Sequence, residues 1–246
     1  MTVLLHAGNP GPMTGEGNNT WLIDGSEPTL IDAGVGAPAH VDAIAQQLGG
    51  RALARVIVTH GHADHASGVP ALLARWPDLE VGAWTQPIGA TAWRALDGGA
   101  RVQAGSGVLL VVHTPGHAPD HICLFDDDTR DLFGGDMLTQ GTTVAIQAGR
   151  GGNLRDYLAS LERLKALAPS RILPGHGPVI DRPIELIDQY LAHRRLRDAQ
   201  VRASLAQGIT DPDAIVALIY PELSEELRPA ARATVVAHLE SIAEGD

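Results

Sequence analysis

The stretch Thr59-His60-Gly61-His62-Ala63-Asp64-His65 places four side chains of metal-ligand type within six residues. It follows Val56-Ile57-Val58, a β-branched run that reads as a buried strand. Gly61 and the small residues Ala63 and Ala66 let the backbone turn at the strand end. His60 and His62 are two apart, so in an extended segment they point the same way. Asp64 and His65 come after the turn and can aim at a second point, so one short loop can serve two neighbouring metals. The plain alternative is a polar loop holding three histidines by chance. It is set aside because more donors follow: His117 in Thr114-Pro115-Gly116-His117, Asp136 in Gly134-Gly135-Asp136, and His176 in Pro174-Gly175-His176-Gly177. Each sits just past an expected strand, at 108–112, 122–133 and 171–173. Imidazole and carboxylate donors suit zinc, and iron or manganese can occupy the same kind of site.

Those donors need elements to carry them. The pattern predicts a short strand at 3–5, a turn-rich loop over 9–20, and a hairpin of 21–23 with 29–31 around Asp24-Gly25-Ser26-Glu27. A helix is expected over 38–48, ended by Gly49-Gly50, another over 67–75, a strand at 80–83 and a short helix within 86–95. Strands at 108–113, 122–133 and 171–173 carry the later donors, and a helix over 153–168 starts from an Asn153 cap. Strands alternating with helices, twice over, suggest two sheets face to face with helices outside. Periodicity alone gives only α/β. From 183 the pattern turns helical, at 184–198 continuing to Gly208, from Pro212, and at 229–243. The expected division is a catalytic domain at 1–182 and a small C-terminal helical appendage at 183–246, with a winged-helix-like arrangement as one option.

Composition bounds the function classes. The 246 residues carry a formal net charge of -11, with 18 basic against 29 acidic side chains, which disfavours electrostatic capture of nucleic acid. In the appendage only Arg194-Arg195-Leu196-Arg197 forms a local basic spot. The first residues lack the basic and apolar regions of a signal peptide, and no apolar run is long enough to span a bilayer. A cytoplasmic, membrane-free protein is expected. The single cysteine, Cys123, lies in an apolar run and reads as a buried strand thiol. His6, His40, His193 and His238 read as surface or packing residues.

The H-x-H-x-D-H run at 60–65, followed by separate His117, Asp136 and His176, resembles the metallo-β-lactamase superfamily, with all seven positions filled. The resemblance implies an αββα sandwich with the site at one edge between the sheets. It implies two Zn2+ ions: His60, His62 and His117 on one, Asp64, His65 and His176 on the other, Asp136 and a water bridging. A hydroxide formed there attacks carbonyl carbon or phosphorus, with Asp64 and Asp136 as the catalytic carboxylates. Asp32, in Asp32-Ala33-Gly34, resembles the carboxylate that steadies the metal loop. His121 reads as structural or substrate-contacting, Thr142 and Thr143 as substrate contacts, and the loop at 13–17 as a cover for the cleft. Asn9-Pro10-Gly11-Pro12-Met13-Thr14, Gly17-Asn18-Asn19-Thr20, Gly141-Thr142-Thr143-Val144 and the segment from Pro174 to Ile180 further resemble the β-lactamase-like protein 2 subfamily. That subfamily includes a single-strand endoribonuclease and fungal thioesterases that release polyketides from carrier proteins. The expected activity is therefore zinc-dependent hydrolysis of an ester, thioester or lactone carbonyl on a small-molecule or acyl-carrier-linked substrate. The alternative is cleavage of single-stranded RNA, and low-level β-lactam hydrolysis is compatible with the same chemistry. A homodimer is left open.

Overall fold

The computed structural model describes residues 1–11, 14–87, 89–141, 143–243 and 245. The first half runs β1 (Thr2–His6), β2 (Asn19–Ile23), β3 (Thr29–Ile31), α1 (Pro38–Leu48), β4 (Arg55–Ile57), α2 (Ala63–Ala66), α3 (Val69–Arg75), β5 (Glu80–Ala83) and β6 (Arg94–Ala95). Its strands form one sheet in sequence order, antiparallel from β1 to β3 and parallel from β3 to β6. The second half runs β7 (Arg101–Ala104), β8 (Gly107–His113), β9 (Ile122–Asp126), β10 (Asp131–Gly135), α4 (Leu154–Ala166) and β11 (Arg171–Pro174). Its sheet has the order β11-β10-β9-β8-β7, with only β10 and β11 parallel. Then come α5 (Pro183–Ala206), α6 (Pro212–Ile219) and α7 (Arg228–Ala243).

The period-two alternation of strand residues builds the layers. In β4, Val56 faces α1 and α3, while the next residue, Ile57, joins Trp21, Leu109, Leu124 and Phe133 between the sheets. In β9, Ile122 and Leu124 enter the same inter-sheet core, whereas Cys123 and Phe125 turn to the far side, against Leu161 of α4 and Ile187 of α5. The result is helix, sheet, sheet, helix. Burying an aliphatic side chain of this size contributes about 1.5–3 kcal/mol. The strand ends that carry the donors are thus fixed by cores on both sides.

Two expectations fail here. The run 122–133 is not one strand but a hairpin: Asp126 Oδ1 accepts the N–H groups of Asp128 and Thr129, and Arg130 takes a left-handed φ of 60°. Such an Asp-centred turn competes locally with strand extension. Within 86–95 the described residues hold no helix, only a turn at Gly89 and the two-residue β6. Pro87 and the left-handed Gly89 break any helical run. The helices fare better, because α1 and α4 start and stop on local signals. Asn153 Oδ1 accepts from Asp156 N–H at the start of α4, and Gly49 closes α1 in the left-handed region.

The long α5 belongs to two cores. Its first turns place Ile187, Tyr190 and Leu191 against the second sheet's helical layer. Its last turns place Val201 with Ile215, Val216 and Val235 in a separate C-terminal cluster.

Candidate metal centre

All seven donors from the sequence meet at one end of the two sheets. His60 and His62 lie in the bend after β4, Asp64 and His65 in the single turn of α2, His117 after β8, Asp136 after β10 and His176 after β11. They fall into two sets. His62 Nδ1 lies 2.9 Å from His60 Nε2 and 3.0 Å from His117 Nε2. Asp64 Oδ2 lies 3.4 Å from His176 Nε2 and 3.7 Å from His65 Nε2. Asp136 stands between them. Its Oδ2 faces His117 Nε2 at 3.6 Å and His60 Nε2 at 3.9 Å, and its Oδ1 faces His65 Nε2 at 3.2 Å and His176 Nε2 at 3.5 Å.

The outward edges of the rings are held by the protein, which frees the inward nitrogens. Asp32, buried and at a left-handed φ of 64°, accepts from Thr59 N–H at 2.8 Å, from Thr59 Oγ1 at 3.0 Å and from His65 Nδ1 at 2.7 Å. The Thr59 hydroxyl proton is thereby spent, so Thr59 Oγ1 can only accept from His60 Nδ1, at 3.1 Å. His117 Nδ1 donates to the Ala145 carbonyl at 3.1 Å. The rings of His60, His65 and His117 each turn Nε2 toward Asp136.

Ordinary hydrogen bonding does not account for the cluster. Asp136 Oδ1 is buried with only the ring nitrogens of His65 and His176 before it, at distances and angles short of a good hydrogen bond, a costly state unless something else is bound. Four donors at about 2.0–2.2 Å from one tetrahedral ion stand roughly 3.3 Å apart, close to the separations found here. The donor set is nitrogen and oxygen only, and it fits divalent metal binding.

The electrostatics have the same meaning. Burial, then the charge on His65, holds His60 well below the ordinary histidine pKa, and burial lowers His117. Burial also works against a charge on His65, but Asp136 and Asp32 outweigh it and hold that pKa well above the usual value. His176 is likewise raised: burial opposes its charge, and Asp64 and Asp136 prevail. Burial would raise Asp64, yet His176 and His65 bring it down to about 2. Protons on His65 and His176 stand where divalent cations would balance Asp32, Asp64 and Asp136.

His121 is the nearby imidazole that cannot join. It is fully buried, its Nε2 accepts from Asp136 N–H at 3.0 Å, and its Nδ1 donates to Thr114 Oγ1 at 2.8 Å. Nε2 holds the Asp136 backbone and Nδ1 is anchored on Thr114, so neither nitrogen is left for substrate. Thr143 is exposed in the loop that leads to Ala145, and Thr142 lies outside the described residues. Met13, in the expected cover at 13–17, is also outside them. Cys123 is buried behind the site and its thiol pKa is pushed up to about 12 by burial.

Sequence reading missed three supports. The buried Asn18 Nδ2 lies 3.2 Å from Asp64 Oδ2 and 3.1 Å from His65 Nε2. Asp120 accepts from Gly61 N–H and Thr85 Oγ1, tying down the metal loop. The Ala145 carbonyl orients His117. Asn18 was visible inside Gly17-Asn18-Asn19-Thr20, but a backbone carbonyl carries no residue signature.

Comparison with known proteins agrees with this geometry. Residues 13–176 match the Metallo-beta-lactamase superfamily, and residues 212–244 match the Beta-lactamase associated winged helix domain. A beta-lactamase-like protein 2 homolog of Caenorhabditis elegans is 33% identical over 207 residues, 78% of this chain and 67% of that protein. The atrochrysone carboxyl ACP thioesterase dmxR1 of Cryptosporiopsis sp. (strain 8999) is 33% identical over 202 residues, 81% of this chain and 61% of that one. The crystal structure of a beta-lactamase domain protein from Burkholderia ambifaria superimposes with a TM-score of 0.83 at 24% identity, over 99% of this chain and 86% of that one. TTHA1623, solved in a di-iron-bound form, is 31% identical with a TM-score of 0.59, over 72% of this chain and 94% of that one. The chain belongs to the metallo-β-lactamase superfamily and carries that superfamily's associated winged helix at its C-terminal end.

Proposed function

We propose that this chain is a dinuclear zinc hydrolase that cleaves an ester, thioester or lactone carbonyl. The observation that carries the reading is Asp136, whose two oxygens each face a separate set of inward-pointing donors. His60, His62 and His117 would hold one ion, Asp64, His65 and His176 the other, and Asp136 both. When bound, the ions act as Lewis acids on the scissile carbonyl and supply a nucleophile from water at neutral pH.

The chain's own residues supply the rest. Asp64 is the more open of the two inner carboxylates, its side chain 28% exposed against 13% for Asp136. It stays ionised at any working pH, because its pKa is held at about 2. It can therefore accept a hydrogen bond from the attacking water and orient it, while the Asn18 amide fixes its angle. Asp32 and His121 keep His65 and Asp136 from turning away.

A carbonyl substrate is favoured over RNA by what the cations do. Arg194 is buried and donates to the Val144 carbonyl. Arg197 bonds Gln200 and stacks on Tyr220 at 4.4 Å. Of the basic spot read from sequence, Arg195 alone remains exposed, with Glu162 3.7 Å away. Arg51, Arg55, Arg101, Arg171, Arg202, Arg228, Arg232 and Lys165 each meet a carboxylate. Capture of a polyanion needs lysine or arginine groups free to neutralise its phosphates and displace the counterions condensed on it. The thioesterase named among the relatives agrees with this preference.

The test is a parallel assay of the zinc-loaded chain on acyl thioesters, lactones and single-stranded RNA, with Asp64→Ala as control. Zinc-dependent cleavage of the acyl compounds, reduced at least about a hundredfold in the control, is the expected result. Cleavage of RNA alone would overturn the assignment.

A further inference from the structure

A second concave site lies away from the metal centre, where α4, α5 and α7 meet. It is a cleft of about 450 Å³, within the range that holds small ligands. Leu154 and Leu158 of α4 give it an apolar wall, and Arg194, Asp198 and His238 line it from α5 and α7.

Two of those side chains carry buried nitrogens without a hydrogen-bond partner. Arg194 is 2% exposed, and its Nε has no hydrogen-bond partner. Its guanidinium donates to the Val144 carbonyl and lies 5.3 Å from the Tyr157 ring centroid. Among the described residues no carboxylate is in ion-pair contact with it. Asp198, the acid lining the cleft, is taken by Arg202 at 2.7 Å. His238 is 1% exposed, and neither of its ring nitrogens has a hydrogen-bond partner. Asp198 reaches only to 3.6 Å from its Nδ1. A buried cation with an unmet Nε–H and no counter-charge, beside a buried imidazole with no hydrogen-bond partner, is costly on the wall of an otherwise apolar cleft unless a hydrogen-bond-accepting anion occupies it. Arg195, exposed at the rim, adds positive potential in a chain whose net charge is -11.

We propose that this cleft binds an aliphatic carboxylate, its head group on Arg194 and His238 and its tail along Leu154 and Leu158. A guanidinium presents its N–H groups as a planar fork that matches a carboxylate. The cleft volume suits a tail of roughly eight to ten carbons. The site is separate from the hydrolytic centre and does not depend on which bond that centre cleaves.

Isothermal titration of the full zinc-loaded chain with decanoate, decanol and decyl phosphate tests it. The variants Leu158→Trp, which fills the cleft, and His238→Phe, which removes the imidazole N–H donor, are titrated alongside, with thermal melts to show that both are folded. Decanoate is expected to bind at one site, with decanol and decyl phosphate each at least about tenfold weaker. Leu158→Trp should abolish decanoate binding and His238→Phe should weaken it about tenfold or more. Binding that persists unchanged in both variants would mean the carboxylate sits on the metals and would overturn the proposal. So would decanol binding as well as decanoate, tighter binding of decyl phosphate, or no binding of decanoate.

Discussion

Asp32 ties the metal loop to its strand: one carboxylate holds the Thr59 backbone, the Thr59 hydroxyl and the His65 ring. Asp32→Ala removes all three bonds, so we expect metal affinity to fall about 10–100-fold, read by competition with a chromophoric chelator. Wild-type affinity would mean that the loop holds itself. The protons on the cluster give a second test. Imidazole must be neutral to bind a metal, and the pKa values of both His65 and His176 are raised. Metal uptake by the stripped protein should therefore release protons, and the apparent affinity should climb as pH rises above about 6.5, the ordinary histidine value. An affinity that is flat or falls with pH over that range would contradict this. The same raised values mean that the metal-free fold gains from these histidines at low pH and loses that gain as pH rises through their folded pKa values. The seven donors were legible in the sequence because histidine and aspartate declare their chemistry by type. The geometry that excludes His121 was not, since it depends on which backbone N–H its Nε2 meets.

The strand ends aim the donors, and the glycines beside them let the backbone pass. Gly135 ends β10 at a φ of 47°, and a Cβ there would sit 2.5 Å from His121 Nε2 and 3.0 Å from Thr59 Oγ1. Gly135→Ala should therefore displace His121, release Asp136 and lose zinc, besides lowering stability by about 1–3 kcal/mol. Zinc content and a denaturant melt measure the two effects separately. Full zinc retention would show that the loop can absorb the methyl group. Helices with a cap and an apolar stripe, such as α4, were legible as elements. The hairpin at 126–130 is written in the polar run Asp126-Asp127-Asp128-Thr129-Arg130-Asp131 between the apolar segments 122–125 and 132–133, a turn signal that the single-strand expectation passed over. The strand β7 was not expected at all, since only Val102 and Ala104 in it are buried.

The whole molecule joins a hydrolytic sandwich to a helical C-terminal unit through α5, which contributes to the cores of both. No helix among the described residues is long and apolar enough to cross a membrane. The sandwich follows from strands alternating with helices in two halves. The joining role of α5 does not, because its sequence shows one long helix without saying which turns meet which core. The acidic balance, with most of its cations paired to carboxylates or to the backbone, argues at this scale for an acyl rather than a polyanionic substrate. The two donor sets joined by Asp136 argue that both ions are needed. Hydrolysis of an acyl thioester by the metal-stripped chain, measured as zinc is added back, tests that claim most directly. Activity should stay low through the first equivalent, rise with the second and level off at two. Full activity at one equivalent, or none at any zinc level, would contradict the dinuclear carbonyl hydrolase.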